Sequence, residues 1–139
     1  MSEDRRQRGL LDTSVVIAMP HLDSSRLPVE MALSTITLAE LTAGPHATDD
    51  VEERARRQDQ LQRAERTFEP IPFDMEAAQA YGRIYAAVTA KGRTARGRRA
   101  MDLLIAATAL AIDIPLFTCN PTDFDGLGKL IDIVPIDAE

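Results

Sequence analysis

Four carboxylates, Asp12, Glu40, Asp102 and Asp123, lie far apart in this chain, yet each borders an apolar run. Asp12 ends the run GLLD, Glu40 follows MALSTITLA, Asp102 opens DLLIAATALAI, and Asp123 follows IPLFTCNPT. Carboxylates gathered at one point repel one another and need protons or a cation. Hard divalent ions take oxygen ligands, so the chemistry such a group supports is Mg²⁺ or Mn²⁺ binding. Other chemistries lack their parts. His21 and His46 have no partner at zinc-ligand spacing. Ser14 lies outside any nucleophile elbow, and there is no glycine-rich phosphate loop. Cys119, the single cysteine, reads as an inert, buried thiol.

Each acid also has a purely local reading. Asp12 suits an Asx turn or helix N-cap. Glu40 stands third after Thr37 in TLAE, a capping-box pattern. Asp102 complements a helix N-terminus or the preceding Arg98 and Arg99. Asp123 and Asp125 flank Phe124 in turn-forming sequence, and either suits the chemical role. These readings leave the shared address unexplained. In an open parallel sheet, ligands bind outside the carboxyl ends of the strands, and three of these acids follow strand-like runs.

The elements that must position them follow from pattern. Gly9–Ile17 reads as a strand turning into a helix. Glu30–Thr37 contains a second strand, with Leu33–Thr37 its β-prone part, and a helix is expected from Thr37 until Gly44-Pro45. The highly charged 49–67 stretch, with sparse apolar positions at Val51, Ala55, Leu61 and Ala64, predicts one or two exposed helices or a partner-binding arm. FEPIPF is a short strand, and Asp74 caps a helix from Met75 to about Ala90. The helix from Met101 to Ile112 is apolar almost all round and should be buried. Ile114–Thr118 and Leu130–Ile136 are the last strands, and Pro135 puts the latter at an edge. Alternating strands and helices predict an α/β fold: one domain with a central parallel sheet of four to five strands flanked by helices.

With 139 residues the chain is expected to form one domain, 9–137, after a short flexible leader, 1–8. No apolar stretch approaches a membrane span. One cysteine excludes an intrachain disulfide and suits a reducing, cytoplasmic setting. The net charge of −6 argues against a general nucleic-acid binder, but it hides a basic connector. Lys91, Arg93, Arg96, Arg98 and Arg99 contain no acid between them and lead directly to Asp102, so they are candidate phosphate contacts.

The series LDTS, TLAEL, DLLIAA and TCNPTDF resembles the PIN-domain nucleases, in particular the VapC-type toxins of bacterial toxin–antitoxin modules. The resemblance spans about Leu10 to Ile136. It implies a metal-dependent endoribonuclease that uses Mg²⁺ or Mn²⁺, leaves 5′-phosphate and 3′-hydroxyl ends, and inhibits growth. Asp12, Glu40 and Asp102 fall on the family's metal-binding acids and Asp123 on the fourth, while Ser14, Thr118 and Asn120 match supporting positions. Cys119 stands where the family often has Arg. A homodimer and a cognate VapB-type antitoxin are further implications. The alternative is a catalytically inactive RNA- or protein-binding module on the same fold. A receiver domain would need a Lys after the last strand, but Lys91 and Lys129 both precede it. A dehalogenase-type phosphatase would need an Asp where Ser14 stands.

Overall fold

The structure is a computed structural model that describes residues 6–93 and 96–137, apart from the side chain of Arg98. In chain order it contains β1 (Arg8–Leu11), α1 (Thr13–Ala18), β2 (Glu30–Ser34), α2 (Thr35–Ala43), α3 (Val51–Thr67), β3 (Pro70–Ile71), α4 (Met75–Ala90), α5 (Arg98–Ile112), β4 (Leu116–Thr118) and β5 (Ile133–Pro135). The strands form one parallel sheet in the order β3-β2-β1-β4-β5. This is the expected α/β architecture. Strand order reverses between β1 and β4, because the chain leaves β1 toward β2 and later returns on its other side. Such a switch point opens a crevice at the strands' carboxyl ends.

Successive strand residues face opposite sides of a sheet, and both sides here are apolar, as a helix-covered parallel sheet requires. Leu10, Ala32 and Leu116 belong to one core with Ile84, Val88, Leu103 and Ile105 from α4 and α5. Leu11, Leu33 and Phe117 belong to the other, with Val15, Leu41, Leu61 and Phe68. At Gly9 the β1 backbone passes close beneath Phe117, where a Cβ would lie 2.4 Å from the ring. Only glycine permits that approach.

Three expectations shift. The Thr35-Ile36-Thr37 run, β-prone by composition, begins α2 instead, since Ser34 accepts a hydrogen bond from Thr37 N at 3.0 Å and caps the helix. Helix α5 begins at Arg98, three residues before the expected start, after Gly97 with φ of 64°. The 49–67 stretch is a single helix capped by Asp50, and its apolar stripe narrows to Leu61 and Ala64, leaving Val51 80% exposed. Strand pairing extends ahead of the expected domain start at Gly9: Val29 N and Glu30 N donate to the Arg6 and Gln7 carbonyls. Leader residues 1–5 lie outside the described residues. Helix α4, its Asp74 cap and the edge position of β5 match their expectations. No described helix is long and apolar enough to cross a membrane.

Candidate metal centre at the carboxyl edge of the sheet

Asp12 sits at the switch point. Its N–H donates to the Phe117 carbonyl at 3.0 Å, which extends the β1–β4 pairing by one residue before the chain turns into α1. Its Oδ1 caps α1 by accepting from Val15 N at 3.1 Å. The local reading as an N-cap is therefore true. It does not account for the rest of the environment. Oδ1 also accepts from the Ser14 hydroxyl at 2.6 Å, the Thr118 hydroxyl bonds the same carboxylate, and Asp12 is only 4% exposed. Ser14 in turn accepts from Cys119 N at 3.0 Å and ties the end of β4 to the start of α1. Burial pushes the Asp12 carboxyl above its ordinary range, and the hydrogen bonds from Ser14, Thr118 and the backbone oppose that shift without cancelling it. All these donors are neutral. A buried carboxylate with neutral partners is a place for a cation.

Glu40 lies in α2. Because Ser34 is the cap, Thr37 is the third helical residue and Glu40 the sixth, so the capping-box reading of TLAE fails. Glu40 faces Thr13, the residue after Asp12, whose hydroxyl donates to Glu40 Oε1 at 2.5 Å. Thr37 Oγ1 is 3.1 Å from the same hydroxyl.

Asp102 is half-buried and is the fifth residue of α5, not its opening residue. A helix-terminus role belongs to the turn before it. That turn lies at the carboxyl edge of the sheet, since Arg99 reaches the Asp123 carbonyl beyond β4 at 2.8 Å. Asp102 follows that turn on α5, and the residues after it, Leu103, Ile105, Ala106, Ala107 and Ala109, are all buried.

Asp123 is half-buried in the short 3-10 turn Pro121–Phe124. Asp125 is exposed and pairs with Arg93 at 3.1 Å. Thr118 is fully buried, and its Oγ1 accepts from Asn120 N at 2.9 Å, so Asn120 enters the network through its backbone while its side chain is exposed. Of the basic connector, Arg93 and Arg99 hold the 123–125 loop, and Lys91 and Arg96 are exposed. The Arg98 side chain lies outside the described residues. His21 and His46 are both exposed. Cys119 is half-buried rather than buried as expected; its partial burial raises the thiol against an opposing Ser14 hydrogen bond, the Asp12 and Asp137 charges add to the rise, and a thiolate is disfavoured.

Residues 9–130 match the PIN domain family. The chain is a PIN domain of the VapC type. It is 35% identical over 122 residues to Ribonuclease VapC5 of Mycobacterium tuberculosis, covering 86% of this chain and 87% of that protein. It is 39% identical over 110 residues to Ribonuclease VapC8 of the same species, covering 78% and 96%. A crystal structure of VapBC-5 from Mycobacterium tuberculosis, a member of the VapBC family of toxin–antitoxin systems, superposes with a TM-score of 0.78 at 32% identity over 94% of this chain and 99% of that one.

PIN-domain nucleases generally use divalent metals, and the residues of this PIN domain test that chemistry. The structure unites Asp12 with Ser14 and Thr118, and Glu40 with Thr13 and Thr37, as two neighbouring polar groups joined through the Asp12–Thr13 peptide. Among the described residues, no three His, Cys, Asp or Glu side chains are grouped closely enough to hold an ion together. Mg²⁺ keeps several waters and takes only one or two carboxylates directly, so an all-oxygen set around one buried anchor fits it. Sequence reasoning missed Thr13 and Thr37. The available signal was their spacing: Thr13 follows Asp12 directly, and Thr37 is one helical turn before Glu40.

Proposed function

We propose that this VapC-type PIN domain is a metal-dependent endoribonuclease toxin that hydrolyses RNA phosphodiester bonds to 5′-phosphate and 3′-hydroxyl ends. The observation that carries the reading is Asp12: a carboxylate buried at the switch point, held only by neutral donors, in a chain whose relatives are named ribonucleases. In this reading Asp12 would anchor Mg²⁺ or Mn²⁺, with Asp102, Asp123 and Glu40 contributing largely through metal-bound water. The bound metal supplies an activated water and charge neutralisation at the phosphoryl group.

The chain's own residues set that chemistry in place. Ser14 and Thr118 fix the plane of the Asp12 carboxylate, and Asn120 fixes Thr118. Asp123 rather than Asp125 is the fourth acid, because Asp125 is neutralised by Arg93. Arg96, Lys91 and Arg98 contact the RNA backbone, whereas Arg93 and Arg99 chiefly hold the Asp123–Asp125 loop. The protein acts in the cytoplasm as a homodimer, inhibits growth when free, and is neutralised by a VapB-type antitoxin. The carboxylate-rich edge suits a cationic antitoxin side chain. Helix α2, which carries Glu40, and the 44–47 turn after it also present a shallow, mainly apolar surface that includes Leu38, Ala39, Ala43 and Ala47, for the antitoxin's apolar ones.

The test is cleavage of total cellular RNA by the purified, antitoxin-free chain with Mg²⁺ or Mn²⁺. Discrete fragments with 5′-phosphate ends, absent with EDTA and absent in Asp102→Ala, are the expected result. A folded chain that binds RNA or a partner but cuts nothing with either ion is instead the inactive binding module.

A further inference from the structure

The hydroxyl groups beside Glu40 form a chain whose direction is set by charge. Ser34 and Thr37 are fully buried. Ser34 Oγ lies 3.4 Å from Thr37 Oγ1, Thr37 Oγ1 lies 3.1 Å from Thr13 Oγ1, and Thr13 Oγ1 lies 2.5 Å from Glu40 Oε1. Each hydroxyl has one proton to donate, whereas an ionised carboxylate only accepts. The consistent assignment runs Ser34 to Thr37, Thr37 to Thr13, and Thr13 to Glu40. A hydroxyl bond to an ionised acceptor is stronger than one between neutral groups, and each donor upstream polarises the next.

The chain also joins the two polar groups of the centre. Thr13 is the first residue of α1 and follows Asp12, so its backbone is held by the same turn that places the Asp12 carboxylate. Thr37 is anchored at the start of α2 by its own N–H to Ser34 Oγ at 3.0 Å. Glu40 sits one turn further along α2, with a flexible side chain that has no described salt bridge. Among the described residues, the hydrogen bond that orients it relative to Asp12 comes from the Thr13 hydroxyl.

We propose that Thr13, backed by Thr37, is a positioning residue that fixes the Glu40 carboxylate relative to Asp12. This rests on the nuclease reading above for its consequence, but not for its geometry. Thr13 acts through Glu40 and does not touch substrate. Outer partners of a metal-binding group typically contribute about 10- to 100-fold to affinity or rate, and that is the loss expected on removing the hydroxyl while keeping the shape.

The experiment compares Thr13→Val and Thr13→Ser in the full chain, alone and combined with Glu40→Ala. Side-chain carbon couplings of Glu40, measured by NMR without metal, report its rotamer directly. The wild type and Thr13→Ser should show one Glu40 rotamer and similar RNA cleavage, and Thr13→Val should show averaged couplings and a loss of about 10- to 100-fold. In the Glu40→Ala background, Thr13→Val should cost nothing more, which a general structural defect would not produce. Unchanged Glu40 couplings in a folded Thr13→Val protein overturn the positioning role, as does an equal penalty in the Glu40→Ala background. If the wild type cuts no RNA while the couplings still change as expected, the nuclease reading falls and the positioning stands. If Thr13→Val fails to fold, Thr37→Val takes its place, with the same couplings expected to average.

Discussion

Asp12 and Asp125 both lie near the carboxyl edge of one sheet, and they are held in opposite ways. Asp12 is buried among neutral donors on one strand and one helix, and its carboxyl is raised by desolvation. Asp125 is exposed on a loop and has an arginine 3.1 Å away. An exposed pair of that kind adds ~0–1 kcal/mol, enough to tether a loop and little more. A buried carboxylate without a counter-charge weakens the fold at neutral pH. The contrast separates charge already neutralised from charge left for a cation.

The largest expected effect would break this contrast outright. Asp12→Ala should lower RNA cleavage by about a thousandfold or more, as loss of a central group of a catalytic constellation does. Asp125→Ala should stay within about threefold of the wild type, which is the scale of an exposed ion pair. Initial rates on one defined RNA measure both, and equal losses would make the exposed acid a ligand after all.

The rigid side of the contrast can be tested through its foundation. A Cβ at Gly9 would stand 2.4 and 2.6 Å from Phe117 Cε1 and Cδ1, in the packing that supports the β1–β4 junction. Gly9→Ala should cost about 1–3 kcal/mol by overpacking, read from urea unfolding. Asp125→Ala should cost less than about 1 kcal/mol in the same assay.

Burial of Asp12 has a pH signature in the metal-free protein. Its folded-state pKa is raised above the ordinary value of 3.8. Between that value and the raised one, the native state holds a proton that the unfolded chain has released. Stability therefore falls as pH rises through this window and stays lower above it. Asp12→Asn escapes the loss, so its melting temperature should exceed that of the wild type by about a few degrees at neutral pH, with the difference vanishing below pH 3.8. Added Mg²⁺ should raise the wild-type melting temperature, by mass action on the native state, and leave that of Asp12→Asn unchanged.

The smallest effect concerns the exposed side. In an Asp12→Ala background, Arg96→Ala should reduce the slope of log affinity for RNA against log salt by about one, as expected for a single phosphate contact. Arg93→Ala should change it less, since its charge is already engaged by Asp125.

Much of this was legible in the chain, and the misses have physical causes. The apolar run of α5 and the Asp74 cap of α4 are local patterns: α4 formed as read, and α5 formed with its expected end at Ile112 but a start three residues earlier. Thr35-Ile36-Thr37 misled because β-branched residues favour strands only where packing agrees; here Ser34 offers a cap and α2 takes the segment. The basic connector looked like a uniform phosphate grip because the sequence carries no sign that Arg93 and Arg99 meet a loop more than twenty residues onward.

By itself the sequence determined the alternation of strands and helices and the acids that border its apolar runs. Residue type and spacing along the chain are sufficient for those properties. Only the tertiary structure decided strand order and the switch point, the burial of Asp12, the Thr13–Glu40 contact and the neutralisation of Asp125. Those depend on which distant segments share a surface, and a partner across space changes the free energy of a charge far more than its neighbours in sequence do.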